Sequence, residues 1–212
     1  MVERKADITR VIIGIPSARG WTPSFGAVAM AMVAHTIAQG NISVYPAIVQ
    51  GCYISEGRNH LVRVALEAGA DYILFLDDDM TFPIETLVSF LRHDKDIIGA
   101  VYNMRTPPHR TAGYPIDPEA GFPRGGLLQM KHIPTGIMLV KTSVFKRIKG
   151  PWFKYQWRDD EISDMNKDGM IGEDVLFCKR ARHAGYEIWA DMDVSYQVSH
   201  YTEQMIKLAR PA

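Results

Sequence analysis

Short apolar runs alternate with helical stretches through the first hundred residues, and this alternation restricts the possible folds more than any other feature. Four runs suit strands, at residues 11–15, 43–49, 72–76 and 96–101, and the runs at 11–15 and 72–76 suit strands buried on both faces. Helical patterns separate them, at residues 24–39, at residues 58–68 and from Pro83 onward. Since parallel strands need crossover connections, the pattern predicts a single α/β domain with a mainly parallel central sheet.

The pattern changes in residues 105–124, which contain five prolines and two glycines. Proline removes a backbone donor and is excluded from helix interiors and central strands, so this segment is predicted to be a long loop. Loops of this length inside a domain are usually functional, and we expect a flap over a binding site. Regular structure is predicted to resume with strands at residues 137–141, 186–190 and 194–199 and a helix at residues 174–184.

Composition restricts the class of protein without naming a function. The chain has 212 residues, with 24 Lys and Arg against 24 Asp and Glu, so its overall charge points neither to nucleic acid nor to a membrane surface. Cys52 and Cys178 are isolated, which predicts neither a disulfide framework nor a zinc site. No stretch has the length of a membrane span or of a signal-peptide core, so we expect a cytoplasmic protein.

Three consecutive carboxylates, Asp77, Asp78 and Asp79, follow the apolar run at residues 72–76. The carboxyl end of a strand is where ligands bind in open parallel α/β sheets. Crowded carboxylates raise one another's proton affinity, and a divalent cation is the simplest compensation. Because side chains alternate along an extended segment, Asp77 and Asp79 can face one side together. The cluster therefore predicts a metal site able to hold a diphosphate.

Two other interpretations of the aspartates are open. They could end the strand and cap the helix that begins near Pro83. The pattern Asp77-x-Asp79-x-Thr81 also resembles the first motif of haloacid-dehalogenase-type phosphatases, which would make Asp77 a phosphoryl-accepting nucleophile. That family carries the motif on its first strand, whereas two predicted strands precede it here.

The motifs together resemble nucleotide-sugar glycosyltransferases of the GT-A fold, especially small family-two-like members, over nearly the whole chain. The motifs that carry the resemblance are VIIGIPS at residues 11–17, SEGRN at 55–59, FLDDDM at 75–80, PTGIMLV at 134–140, GED at 172–174 and the late His200. The resemblance implies one domain over residues 1–212, with a nucleotide-binding half at 1–103 and an acceptor and catalytic half at 104–212.

The resemblance assigns a role to each motif. The nucleotide-binding residues would be Pro16, Ser17, Arg58, Asp77 and Asp78. The metal ligands would be Asp77, Asp79 and His200, with the aspartates forming the DxD motif of the family. Asp and imidazole ligands together favour Mn²⁺ over Mg²⁺. A histidine in an ordinary surface or hydrogen-bonded role is the alternative for His200.

Glu173 and Asp174 resemble the ED motif that supplies the catalytic base of inverting members, and Asp174 is the candidate base. The alternative is a helix-capping role, in which the helix dipole would lower the pKa of Asp174. Thr135 and Gly136 would bring the backbone close to the donor sugar, with a structural bend as an equal alternative. A stacking platform for an acceptor sugar would be formed by Trp152, Phe153, Tyr155 and Trp157, unless these aromatic residues pack in the core.

The sequence thus predicts a metal-dependent enzyme that moves a sugar from a nucleotide-diphosphate sugar, by default a UDP-sugar, to an acceptor hydroxyl, with inversion. Its partners would be that donor and a carbohydrate or other hydroxyl acceptor, with no nucleic acid and no integral membrane segment. Two alternatives are a phosphatase or nucleotide-sugar hydrolase that uses Asp77, and a nucleotide-binding module without catalysis. Residues 164–171 also match the start of an EF-hand calcium loop, but Val175 replaces its bidentate glutamate.

Overall fold

The computed structural model describes residues 8–18, 20–105, 107–157, 169–201 and 206–207. The calcium-loop resemblance therefore falls largely outside the described residues. The first elements are β1 (Thr9–Ser17), α1 (Pro23–Ile37), β2 (Ile42–Gln50), α2 (Ile54–Glu67), β3 (Tyr72–Leu76), β4 (Met80–Thr81), α3 (Thr86–Arg92), β5 (Ile97–Gly99) and β6 (Tyr102–Asn103). The later ones are β7 (Thr111–Ala112), β8 (Tyr114–Pro115), β9 (Leu127–His132), β10 (Ile137–Lys141), α4 (Thr142–Arg147), β11 (Gln156–Trp157), β12 (Met170–Ile171), α5 (Glu173–His183), β13 (Ile188–Asp191), α6 (Met192–Ser195), β14 (Ser199–His200) and β15 (Ile206–Lys207).

Eight strands form the central sheet, in the order β2-β1-β3-β10-β5-β13-β9-β8. The strand pairings make β10 and β9 run against the other six strands, so the predicted α/β class with a mainly parallel sheet is confirmed. Strands from both halves of the chain belong to this one sheet. The division of the chain into a nucleotide-binding and a catalytic half stays a prediction.

Helices cover both faces of the sheet. One hydrophobic cluster joins the sheet to α2, α4 and α5, and the other joins it to α1 and α3. Successive residues of β1 alternate between the two clusters, with Ile12 in the first and Val11 and Ile13 in the second. Both faces of the central strands are therefore buried, which explains why they are continuous apolar runs in the sequence.

Local signals fix where the early helices begin. Thr22 caps α1 by accepting a hydrogen bond from the Phe25 backbone N–H, and Pro23 occupies the first turn, where its missing N–H costs nothing. Chain reversals after α1 and α2 occur at Gly40 and Gly69, both with positive φ. These signals place the start of α2, and with it Arg58, beside the carboxyl end of β3.

Three local predictions were wrong or incomplete. Residues 194–199 are not one strand, because helix α6 continues to Ser195. The Asp191 carboxylate caps the start of this helix by accepting a hydrogen bond from the Val194 backbone N–H, and pairing with β4 begins at Ser199. β9 and α4 were not predicted. The segment 105–124 is broken as expected, but its residues 111–112 and 114–115 pair at sheet edges, and Pro115 lies in an edge strand where proline is tolerated.

A search of the described helices found none with the length and apolar character needed to cross a membrane.

Candidate active site

The acidic triplet lies at the carboxyl end of β3, where it borders a cavity of about 300 Å³. Nine residues singled out in the sequence line this cavity, namely Pro16, Arg58, Asp77, Asp78, Asp79, Thr135, Gly136, Glu173 and Asp174. The Asp77 backbone N–H donates to the Gly136 carbonyl at 2.9 Å, which ties the triplet to the turn before β10. The fold therefore assembles one polar pocket from motifs that are distant in the sequence.

Arg58 is the central cation of this pocket and is only 3% exposed. Its Nη2 donates to both Asp77 carboxylate oxygens, at 2.8 and 3.2 Å, and its Nη1 donates to Glu173 Oε1. Burial alone would lower the pKa of Arg58, but the attraction of Asp77, Glu173 and Asp174 outweighs it and raises the pKa above its ordinary value. Arg58 therefore remains charged and holds two of the predicted site carboxylates in place.

Asp79 lies apart from that network, between Arg105 and His200. Its Oδ2 is 2.9 Å from Arg105 Nη1, and its Oδ1 is 3.5 Å from His200 Nε2. Burial alone would raise the pKa of Asp79, but His200 and Arg105 outweigh it and the pKa lies below its usual value. Oδ1 is buried and accepts no hydrogen bond from the described residues. A buried carboxylate oxygen without a donor, beside an imidazole nitrogen, fits a cation ligand.

Asp79 and His200 do not complete a metal site by themselves. In the described part of the chain, no three His, Cys, Asp or Glu side chains are arranged to hold a metal ion. Both oxygens of Asp77, the third predicted ligand, accept hydrogen bonds from Arg58. Divalent ions at nucleotide sites commonly use one or two protein ligands and take the rest from phosphates and water, so the arrangement fits an ion bound together with a diphosphate.

Asp174, the candidate base, lies in the first turn of α5 and accepts a hydrogen bond from the Val175 backbone N–H at 2.7 Å. Burial and the neighbouring Glu173 carboxylate raise the pKa of Asp174 to about 6, although Arg58 opposes the shift. The sequence alternative, a helix dipole that lowers this pKa, is wrong in direction because desolvation and like charge dominate. A carboxylate with this pKa is a stronger base than an ordinary aspartate and is still mostly ionised at neutral pH.

Gly136 permits close packing under the acidic triplet. A Cβ atom here would clash with the Tyr102 hydroxyl and would lie 2.9 Å from Asp77 Oδ2. Tyr102 is 5% exposed, and its ring meets the His200 ring edge to face at 5.5 Å. The hydroxyl of the adjacent Thr135 is buried and has no hydrogen-bond partner among the described residues. Glycine is therefore required for packing at this position, whatever its role toward a donor.

Replacing Gly136 with alanine should destabilise the fold by about 1–3 kcal/mol, because the added methyl group has no free space and Tyr102 is held in the core. It should also displace the Asp77 carboxylate and weaken ligand binding. Urea unfolding monitored by fluorescence would measure the first effect. Gly26→Ala is the matched control, since its Cβ would meet only Trp21 at 3.7 Å within helix α1, and it should be neutral or stabilising. Equal stability of the two variants would contradict the packing role.

Three predicted residues, Ser17, Trp152 and His200, are not among those that line the cavity, although His200 contacts the lining residue Asp79. Ser17 is buried at the end of β1, where its side chain bonds to Asp78, whose pKa is nevertheless raised, chiefly by burial. Trp152 packs edge to face against Phe145, and its indole N–H donates to the Phe145 and Ile148 carbonyls. This contact set matches the core alternative for Trp152, and no observation places its ring beside the cavity.

The sequence did not identify Tyr102 and Arg105, which line the cavity. Arg105 begins the proline-rich segment, and its charge beside a predicted binding loop was the available signal. Tyr102 carried no local signal, since a tyrosine next to a strand more often packs in a core. Tyr155, a member of the predicted aromatic platform, lies against Glu173, where burial and the Glu173 charge raise the pKa of Tyr155 to about 12.

Comparison with known proteins relates the chain to others by fold. At the level of sequence, no protein family and no curated protein matches it. The solved structure of A197 from STIV superposes with a TM-score of 0.62 at 16% identity, covering 96% of both chains. GalNAc-T7, solved with UDP, GalNAc and Mn²⁺, superposes with a TM-score of 0.53 at 10% identity, covering 95% of this chain and 44% of that one. The fold is therefore GT-A-like, as the sequence motifs predicted.

Proposed function

We propose that this protein is a metal-dependent glycosyltransferase that moves a sugar from a nucleotide-diphosphate sugar, by default a UDP-sugar, to an acceptor hydroxyl. The observation that carries the proposal is the shared cavity. It joins the acidic triplet, the cation Arg58 and a carboxylate with a raised pKa, at the sheet edge where α/β proteins bind ligands. The GT-A-like fold supports it, and GalNAc-T7 is a neighbour that was solved with UDP and Mn²⁺.

The donor would lie across the carboxyl ends of β1 and β3. Pro16, Ser17 and Asp78 would contact the nucleoside. Arg58 would hold Asp77 at the ribose and keep Glu173 from serving as a free base, because it donates to both carboxylates. Thr135 and Gly136 would face the sugar, with the unpaired Thr135 hydroxyl available to a sugar hydroxyl.

The metal site would be formed by Asp79 and His200, with Asp77 nearby, and Mn²⁺ is the ion we propose. A divalent cation there would stabilise the charge that develops on the departing diphosphate. Asp79 is suited to this role because Oδ1 accepts no hydrogen bond from the described residues and the lowered pKa of the carboxyl keeps it ionised. Arg105, which contacts the other oxygen, supplies a second positive charge at the same position.

Asp174 would act as the general base. It would remove the proton from the acceptor hydroxyl while that oxygen forms a bond to the anomeric carbon, and the bond from that carbon to the diphosphate would break on the opposite side. This displacement inverts the anomeric configuration, releases the nucleoside diphosphate and leaves the proton on Asp174.

Asp79→Asn should abolish Mn²⁺-dependent binding of UDP, because it removes the anionic ligand while preserving the side-chain shape. We expect a loss of at least about 10-fold in affinity, the effect typical of a lost metal ligand or of its supporting partner. Calorimetric titration of UDP, GDP and UDP-sugars, with Mn²⁺ and with chelator, would measure it. Asp117→Asn, an exposed carboxylate in the 105–124 segment, is the matched control. Absence of nucleotide binding by the wild type under all conditions would refute the proposal.

The contacts of Asp77 speak against the phosphatase alternative. A nucleophile needs a free oxygen aimed at phosphorus, whereas both Asp77 oxygens accept from Arg58, and the motif follows the third strand of the chain. The other alternative, a nucleotide-binding module without catalysis, differs from the proposed transferase only in the absence of turnover. A cytoplasmic location and the absence of a nucleic-acid partner stay predictions.

A further inference from the structure

A basic surface adjoins the candidate site on the side of α4 and α5. Residues 142–157 and 175–186 contain seven lysines and arginines and no acidic residue, although the whole chain carries no net charge. We define the basic face by its members Arg147, Lys149, Lys154, Lys179, Arg180 and His183. Such a concentration of one sign of charge on a neutral protein favours a partner of opposite charge.

Tertiary contacts assemble this face from separate parts of the chain. The Arg180 guanidinium on α5 donates to the backbone carbonyls of Lys149, Pro151 and Trp152. The five other members of the basic face are exposed. Within the ranges that the structure describes, none of the six forms an ion pair with a carboxylate. The charges of the exposed lysines Lys149, Lys154 and Lys179 are therefore available to a partner.

A groove of about 470 Å³ runs through the basic face and has an amphiphilic lining. Its floor is apolar and is formed by Ile148, Leu176 and Ala184, whereas Lys179 and Arg180 supply cations around it and His183 supplies an imidazole. Trp157, which follows the groove residue Gln156 in the chain, is 67% exposed. Tyrosine and tryptophan are the side chains enriched where a protein meets the headgroup region of a bilayer.

We propose that the basic face, together with Trp157, docks the protein on a membrane surface that contains anionic phospholipid. The cations contact headgroup phosphates, and the indole ring of Trp157 enters the interfacial layer. A nucleic acid is the weaker match, because nucleic-acid-binding domains are basic as a whole and this chain has a pI of about 7.1.

This docking does not depend on the reaction proposed above, but it would orient the candidate active site relative to the membrane. The strand β11, which carries Trp157, pairs with β12 directly before Glu173 and Asp174. Docking would thus bring the candidate base close to the bilayer surface, and the acceptor hydroxyl would belong to a lipid or to a molecule held at the membrane.

Co-sedimentation of the intact chain with vesicles tests the proposal. Vesicles of phosphatidylcholine alone are compared with vesicles that also contain phosphatidylglycerol, at low and high salt. We expect binding only to the anionic vesicles and weaker binding at high salt. The double variant K149E/K154E should lower the partition coefficient on the order of 20-fold or more, given the usual contribution of each cation near an anionic surface. Trp157→Ser should also weaken binding while leaving the salt dependence unchanged.

The matched control is R110E/R124E, which makes the same charge change on two exposed arginines outside the basic face and should bind vesicles like the wild type. Failure of the wild type to bind anionic vesicles, or equal losses in both double variants, would overturn the proposal. Tighter binding to a single-stranded oligonucleotide, lost in K149E/K154E, would assign the face to nucleic acid instead. Asp174→Asn should bind vesicles normally, which separates this test from that of the transferase.

Discussion

Asp174→Asn is expected to lower the turnover number by about 10²–10⁴-fold while leaving Mn²⁺-dependent nucleotide binding unchanged. The substitution keeps the shape of the side chain and its contact with the Val175 backbone, but asparagine cannot accept the proton of the acceptor hydroxyl. Steady-state kinetics with the UDP-sugar that binds most tightly would measure the loss. Asp117→Asn, at an exposed position, should retain full activity. Turnover by Asp174→Asn above about a tenth of the wild-type rate would remove Asp174 from the role of base.

The pH dependence of the wild type provides a second test of the same residue. A general base must be deprotonated, and the pKa of Asp174 is raised to about 6 by burial and by Glu173. Activity should therefore rise with pH through about 6 and reach a plateau above it. Because Asp174→Asn lacks the titrating carboxylate, the residual activity of this variant should not rise with pH through about 6.

The same variant should be more stable than the wild type at neutral pH. In the unfolded chain the Asp174 carboxyl ionises near pH 4, whereas in the folded protein its pKa is about 6. Below pH 4 the residue is neutral in both states. As the pH rises from 4 to 6, the folded state loses stability because it holds the proton more tightly than the unfolded state does. We expect Asp174→Asn to gain about 2 kcal/mol at pH 7 and nothing near pH 4, as measured by urea unfolding at both values.

Arg58→Met is expected to destabilise the fold by about 3–5 kcal/mol at pH 7, the largest stability effect we predict. Arg58 is buried, and its guanidinium separates Asp77 from Glu173. Methionine would fill much of the same volume but would leave two carboxylates beside Asp174 without a compensating cation. The loss should shrink at pH 5, because the Asp174 carboxyl, whose pKa is about 6 and is held down by Arg58, becomes protonated there and no longer adds to the repulsion. Denaturant unfolding at the two pH values would measure both effects.

Arg63→Met on the same helix provides the control for Arg58→Met. Arg63 is exposed and forms no ion pair among the described residues, so its replacement should change stability by no more than about 0.5 kcal/mol. Arg58→Lys should give an intermediate loss, because a single ammonium group cannot donate in the fork geometry that reaches both Asp77 and Glu173. Equal stability of Arg58→Met and Arg63→Met would show that Arg58 is not the electrostatic centre of the site.

The amino-acid sequence was sufficient for the strands that are buried on both faces. The predicted strand at residues 72–76 matches β3 to the residue, because a continuous apolar run ends abruptly at Asp77. The strand predicted at residues 137–141 also matches β10. By contrast, β9 was missed because its partly buried residues include Gln129, Lys131 and His132, and polarity hid its pairing with β13 and β8.

The site was predictable where a ligand position follows from the topology. Asp77, Asp79 and Asp174 lie at the edge of one cavity because they follow or precede elements whose ends meet at the same edge of the sheet. The partners of these residues were not predictable. The hydrogen bond from Arg58 to Glu173 and the contact of His200 with Asp79 join positions more than a hundred residues apart, and no local pattern specifies them.

By itself, the sequence determined the class of fold, the strands of the buried core and the residue types available for chemistry, because hydrophobic periodicity and helix-ending signals act over a few neighbouring residues. Only the tertiary structure decided the direction of β10 between β3 and β5, the assignment of Asp77 and Glu173 to Arg58, and the raised pKa of Asp174. These properties depend on burial and on charges brought together across the chain, and desolvation and Coulomb energy are set by distances in space that the order of residues does not contain.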